Sequence, residues 1–280
     1  MLSGGLRTKS ITKQSQENMP LITVVTVVRN GEKTLEETIL SVINQTYANI
    51  EYIIIDGAST DSTLDIIKKY EDRIDYWMSE PDDGIYYAMN KGIDLATGEW
   101  INFMNSGDSF YSNTVLQNIF ENEYIDADII YGDTLCILSL GFFMKKAKPL
   151  DSILSIFPFG HQASFVKTKT MKEIKFDESY KSSGDYHFFY NCYINKKIFK
   201  YYPLTVVKYD GEYGMSSNYA LVEYEDARIK GIEKKIFWRL KYLISCFIYK
   251  IKSSVKKILP IFIVNKIRRK NIYRLQNRYY

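Results

Sequence analysis

Residues 21–28 read LITVVTVV, an apolar and β-branched run broken only by threonines, which predicts a strand buried on both faces. Asn30 and Gly31 punctuate it. Leu35, Ile39, Val42 and Ile43 then recur at the spacing of one helix face, with Thr34 and Glu37 placed as a capping box. Residues 49–56, NIEYIIID, predict a second buried strand. A Gly-Ala-Ser-Thr turn follows, and Leu64, Ile67 and Tyr70 keep step along a helix from about residue 61. Strands at 74–78 and 99–104 flank a further helix at 84–95. Strand and helix therefore alternate with short links, which predicts a parallel sheet covered by helices. Such sheets bind ligands at the carboxyl ends of their strands. Polar residues gather at those ends: Asn30, Asp56, then Asn105 and Asp108. Beyond residue 108 the pattern loosens. Strands are expected at 127–132, 135–137 and 204–209, a helix at 185–194 and a mobile loop at 211–217. From about residue 218 the chain reads as helical and basic.

Composition changes this picture in two ways. The chain is 46% hydrophobic and 25% charged, an ordinary globular mixture that excludes disordered and collagen-like classes. Three cysteines without a Cys-x-x-Cys pair, and two histidines, argue against a disulfide framework, a structural zinc site or a multi-histidine centre. A reducing compartment is expected.

Charge is the second change. Residues 228–280 carry 16 Lys and Arg against the lone acid Glu233, a net +15, while the rest of the chain sums to −11. An acidic body with a basic tail points to an anionic surface, membrane or nucleic acid. Trp238, Tyr242, Phe247 and Tyr249 lie among Ile and Leu, which favours lipid over base stacking. The bland alternative is a helix packed on its own domain. The apolar runs at 242–249 and 258–265 fall well short of the roughly 20 residues a span needs. The first 18 residues are polar and lack an apolar core, so no signal peptide is expected there.

The residues that carry chemistry are ambiguous one at a time. Asp56 closes a strand, either as a ligand-facing carboxylate or as a turn residue. The turn Asn105-Ser106-Gly107-Asp108 is either a plain turn or an oxygen-rich seat for Mg2+ or Mn2+. Asp185 is either a general base or a helix cap. His161 is either a structural hydrogen-bonder or part of a site, and Gln162 follows it.

Taken together, LITVVTVVRNGEKTLEETILSVINQTY, EYIIIDGASTDSTLDII and SEPDDGIYYAMNKGIDLATGEWINFMNSGDSF resemble family 2 glycosyltransferases of the GT-A fold, over roughly residues 20–216. They look closest to enzymes building colanic acid, capsule or O-antigen. The resemblance implies a Rossmann-like α/β fold with a mostly parallel sheet flanked by helices. Residues 1–19 read as a flexible leader, and the resemblance implies a catalytic domain over 20–217, with a nucleotide-sugar half to about 108 and an acceptor half from 109. A basic helical extension would occupy 218–280. It further implies a UDP-sugar donor, a divalent cation (Mn2+ or Mg2+), inversion at the anomeric carbon and a lipid-linked or glycan acceptor. The enzyme would work at the cytoplasmic face of a bacterial membrane.

Carried over by position, Val28, Asn30 and Glu32 would border the nucleoside and Asp56 would accept from the uracil ring. Asp82, Asn90 and Lys91 would lie near base, ribose or diphosphate. Asp108 would ligate the metal, with Asn105 and Ser106 beside it. Asp185 would be the base, and His161-Gln162 would face the acceptor. The chain departs from the family where Asn-Ser-Gly-Asp replaces Asp-Ala-Asp-Asp and where Gly184 replaces a Glu. Two other classes compete. A nucleotidyltransferase would normally carry a Gly-rich phosphate loop, of which VVRNGEKT is a poor version. A non-enzymatic membrane- or nucleic-acid-binding module would use the tail alone. A dinucleotide-binding oxidoreductase lacks its G-x-G-x-x-G signature.

Overall fold

The computed structural model describes residues 1–121, 125–211 and 218–258, with residues 263, 265, 266, 269, 270 and 272 beyond them. Its first half runs β1 (Leu2–Gly4), β2 (Ile22–Val28), α1 (Leu35–Ile43), β3 (Ile50–Asp56), α2 (Thr63–Lys69), β4 (Tyr76–Ser79), α3 (Ile85–Leu95) and β5 (Trp100–Phe103). The second half runs β6 (Ser109–Phe110), α4 (Val115–Phe120), β7 (Ile129–Leu138), β8 (Gly141–Lys145), β9 (Ser164–Lys167), α5 (Thr168–Ile174), α6 (Gly184–Ile194) and β10 (Phe199–Asp210). Helices α7 (Tyr219–Ile229) and α8 (Ile236–Ile258) close it.

The strands form a sheet in the order β1-β4-β3-β2-β5-β9-β7-β10-β6, with β8 paired to β7. β4, β3, β2 and β5 are mutually parallel, as the alternating pattern predicts. β9 runs antiparallel between β5 and β7, so the second half is mixed. The β-branched runs are buried on both sides. Val24 and Ile54 enter one core cluster, Val25 and Ile53 the other.

Topology places the site. From β2 the chain steps outward to β3 and β4, then returns through α3 to β5 on the other side of β2. The strand order reverses between β2 and β5, and the carboxyl ends of the strands at such a reversal are where sheets of this kind bind ligands.

Four expectations change. The stretch read as a flexible leader is packed. Leu2–Gly4 pairs with β4, and Arg7 forms an ion pair with the buried Glu51 while donating to the Leu95 carbonyl at 2.9 Å. The strands expected at 127–132 and 135–137 are one strand, β7. The late strand begins earlier, at Phe199, and its register with β7 shifts between Tyr201 and Thr205, around Pro203, which has no N–H to give the ladder. Thr34 makes no side-chain cap on α1, because its hydroxyl pairs with Ser106 Oγ at 3.0 Å. The loop expected at 211–217 lies, apart from Gly211, outside the described residues.

Candidate functional site

The loop after β2 is clasped to the loop after β3. Asn30 has left-handed backbone (φ 53), a conformation asparagine tolerates better than most residues. From there its amide donates to Ser59 Oγ at 2.7 Å and its Oδ1 accepts from the Thr60 amide at 2.9 Å. Glu32 completes the clasp, its amide donating to Asp61 Oδ2 at 3.1 Å and its Oε2 accepting from the Ser62 amide at 3.3 Å. Val28 is buried and pairs with Asp56 across the sheet.

Asp56 has a different task from the one expected. It is fully buried, and its carboxylate accepts from the Ser59 amide at 3.0 Å, the Ser79 hydroxyl at 2.6 Å and the Ser59 hydroxyl. Both oxygens are occupied within the protein, so Asp56 holds Ser59, which holds Asn30. Asp82 lies over this turn. A Cβ built on Gly57 would sit 2.4 Å from Asp82 Oδ2, so only glycine admits the carboxylate there.

On the other wall, Ser106 reaches Thr34, while its amide donates to the Val27 carbonyl at 3.3 Å. The Asp108 amide donates to the Asn105 carbonyl at 2.9 Å, and its own carbonyl accepts from the Thr38 hydroxyl at 2.8 Å. Asp108 is 5% exposed. Asn105 Nδ2 lies 3.2 Å from His161 Nε2, and His161 Nδ1 lies 2.9 Å from Asp185 Oδ2. One assignment satisfies both contacts. Asn105 donates to Nε2, and the imidazole, protonated on Nδ1, donates to Asp185. One Asn105 N–H is used there, and its Oδ1 is buried without a partner.

Asp185 opens α6. Its Oδ1 accepts from the Tyr186 amide at 2.8 Å, so it is a helix-terminus acid as well as the partner of His161. Tyr86 of α3 was missed. Its hydroxyl lies 3.4 Å from Asp185 Oδ1, donates to the Ser182 carbonyl at 2.7 Å and accepts from the Gly184 amide at 2.8 Å. Burial first, then the charge of Asp185, pushes the Tyr86 hydroxyl well above its ordinary pKa and keeps it a neutral donor. Gly184 follows from this packing, since a Cβ there would sit 2.7 Å from the Tyr86 ring. No local signal links Tyr86 with a residue 98 positions away.

Three further predicted residues are engaged in protein contacts. Asn90 is buried and grips Phe176, with Nδ2 donating to its carbonyl and Oδ1 accepting from its amide, both at 2.9 Å. Its nitrogen also reaches Glu178 Oε1 at 2.9 Å, so both amide hydrogens are used within the protein. Lys91 pairs with Glu80 and lies over the Tyr87 ring. Gln162 is buried, and its carbonyl accepts from Asn102 Nδ2 at 2.9 Å.

Among the described residues no group of three His, Cys, Asp or Glu is placed to hold a metal. The orphaned Asn105 oxygen and Asp108 on the same turn still fit Mg2+ or Mn2+, which take oxygen ligands and share them with water and phosphate.

The profile of the family described as Glycosyl transferase family 2 matches residues 23–199. A PGL/p-HBAD biosynthesis glycosyltransferase of Mycobacterium bovis is 31% identical over 205 residues, covering 71% of this chain and 80% of the relative. S. aureus TarS 1-349 in complex with UDP-GlcNAc superposes with a TM-score of 0.62 at 22% identity, covering 76% of this chain and 66% of that one. The mannosyltransferase PcManGT from Pyrobaculum calidifontis, in complex with GDP-Man and Mn2+, gives 0.58 at 16% identity, covering 80% and 68%. At these identities the two structures speak for the fold alone.

Proposed function

The chain belongs to glycosyl transferase family 2 and has a GT-A-like α/β fold, and from that premise we propose an inverting enzyme that moves a sugar from a UDP-sugar to a hydroxyl of a lipid-linked or glycan acceptor in surface polysaccharide assembly. The observation that carries this reading is the hydrogen-bonded line Asn105–His161–Asp185, which joins the turn after β5 to the start of α6.

An acceptor hydroxyl is a poor nucleophile at neutral pH and must lose its proton as it attacks. Asp185 takes that proton. His161 and the Tyr186 amide hold the carboxylate in one orientation, and Tyr86 fixes the backbone that carries it. A single displacement needs one such base and inverts the anomeric centre. Val28, Asn30, Glu32, Asp82 and Ser106 border the donor, with Lys91 near its rim. Asn105 and Asp108 would hold a divalent cation, which when bound offsets the charge developing on the departing diphosphate.

The C-terminal helix suits an anionic membrane surface. Among the described residues no helix is long and apolar enough to cross a membrane. Phe237, Leu240, Leu243, Ile244, Phe247, Ile248 and Ile251 form one exposed stripe of α8. At about 100° per residue, Arg239 and Lys250 flank it on one side and Lys241 on the other, and α8 contains no acid. An apolar stripe edged by cations is the form of an interfacial helix.

The first test is a screen of nucleotide sugars for UDP release, with and without Mn2+ or Mg2+. With the donor so identified, Asp185→Asn should lower turnover by about 1,000-fold while UDP affinity stays within about twofold. Wild-type turnover in that variant removes Asp185 as base.

A further inference from the structure

Helix α6 begins without a cap of its own, since Ser183 makes no side-chain bond to the first turn. An uncapped start leaves backbone N–H groups that need partners. Tyr86 meets that of Gly184 and Asp185 that of Tyr186, while the three amides leading into the helix are met from α7, which lies beyond the 23–199 family match. Glu225 is 4% exposed. Its Oε1 accepts from the Lys181 amide at 2.7 Å, and its Oε2 accepts from the Ser182 amide at 2.9 Å and the Ser183 amide at 2.7 Å. Asp226 beside it accepts from the Ser183 hydroxyl at 2.9 Å, and burial raises the Asp226 carboxyl above its ordinary pKa. Three charge-assisted bonds from one buried carboxylate are a strong, directional restraint. They act on the residues immediately before Asp185.

We infer that Glu225 is a positioning residue for the base, so that α7 is part of the active site and not of the tail. This rests on the reading of Asp185 as base. The outer side of α7 carries α8: the Tyr242 hydroxyl donates to the Ala220 carbonyl at 3.1 Å, Ser245 Oγ to Glu223 Oε2 at 3.0 Å, and Tyr219 stacks on Tyr249. One helix therefore joins the base to the helix with the exposed apolar stripe.

The test compares Glu225→Ala and Glu225→Gln in the full chain, with UDP release from the screened donor, UDP binding by calorimetry and amide hydrogen exchange. The alanine variant should lose about 10- to 100-fold in kcat, with KM for donor and UDP affinity within about twofold. Glu225→Gln, which keeps one acceptor oxygen, should fall between it and the wild type. Exchange at residues 181–184 should accelerate, while that of β2 and β3 stays unchanged. Wild-type kcat in the alanine variant overturns the inference. So does a loss shared equally by kcat and UDP affinity with exchange rising throughout the chain. Should the alanine variant not fold, the glutamine variant decides by the same split. Wild-type turnover in Asp185→Asn would instead sink the base assignment. An inactive Asp185→Asn beside a fully active Glu225→Ala sinks the positioning role alone.

Discussion

Single side chains in the cleft hold one another across long sequence separations. Gly184 and Tyr86 make the case, because the ring occupies the space a Cβ would need. Gly184→Ala should cost about 2 kcal/mol through overpacking. The penalty should vanish in a Tyr86→Ala background, as a double-mutant cycle of urea melts would reveal. Asp56 and Asn90 teach the converse. Both lie in segments that resemble the family's donor site, yet each is buried and bonded to protein partners. Residue type told that these positions are polar and special. The identity of the partner depended on which loops fold against them.

Among the elements, the buried strands and the helices between them were legible, because a continuous apolar run and a one-face spacing each leave a periodic mark. Short or edge strands such as β1, β6 and β8 leave little mark, since tertiary pairing forms them. The packed N-terminus is testable. Arg7→Ala strips the cation from Glu51, whose side chain is 2% exposed, and should destabilise the fold by about 3 kcal/mol in denaturant melts. Helix α8 is tested separately. Leu240, Phe247 and Ile251 are all largely exposed, so changing the three to Ser should leave the melting temperature in place. Partition of the full chain onto phosphatidylglycerol vesicles should fall by about 100-fold or more. Unchanged partition would show that the stripe does not touch lipid.

At the scale of the molecule, one buried acid ties three segments together. Glu51 accepts from Thr23 at 2.6 Å and from the Thr97 amide at 2.8 Å, and pairs with Arg7. Burial pulls its pKa up, but the hydrogen bonds from Thr23, Thr97 and Arg7 outweigh it and leave the carboxyl below its ordinary value. A depressed folded pKa stabilises the fold above the unfolded value of about 4.3, and that contribution is lost as pH falls through the folded value. Urea melts between about pH 6 and pH 3 should therefore show an acid-side decline that is shallower in Glu51→Gln. The alternating parallel half, and the polar turns at its strand ends, could be read from the chain because both are written in local periodicity and turn residues. Folding alone decided that Asn105, His161 and Asp185 meet, that Asp56 turns inward and that Glu225 of α7 accepts from the amides leading to Asp185. Those outcomes depend on contacts between residues tens of positions apart, and hydrogen bonds over such distances leave no trace in spacing.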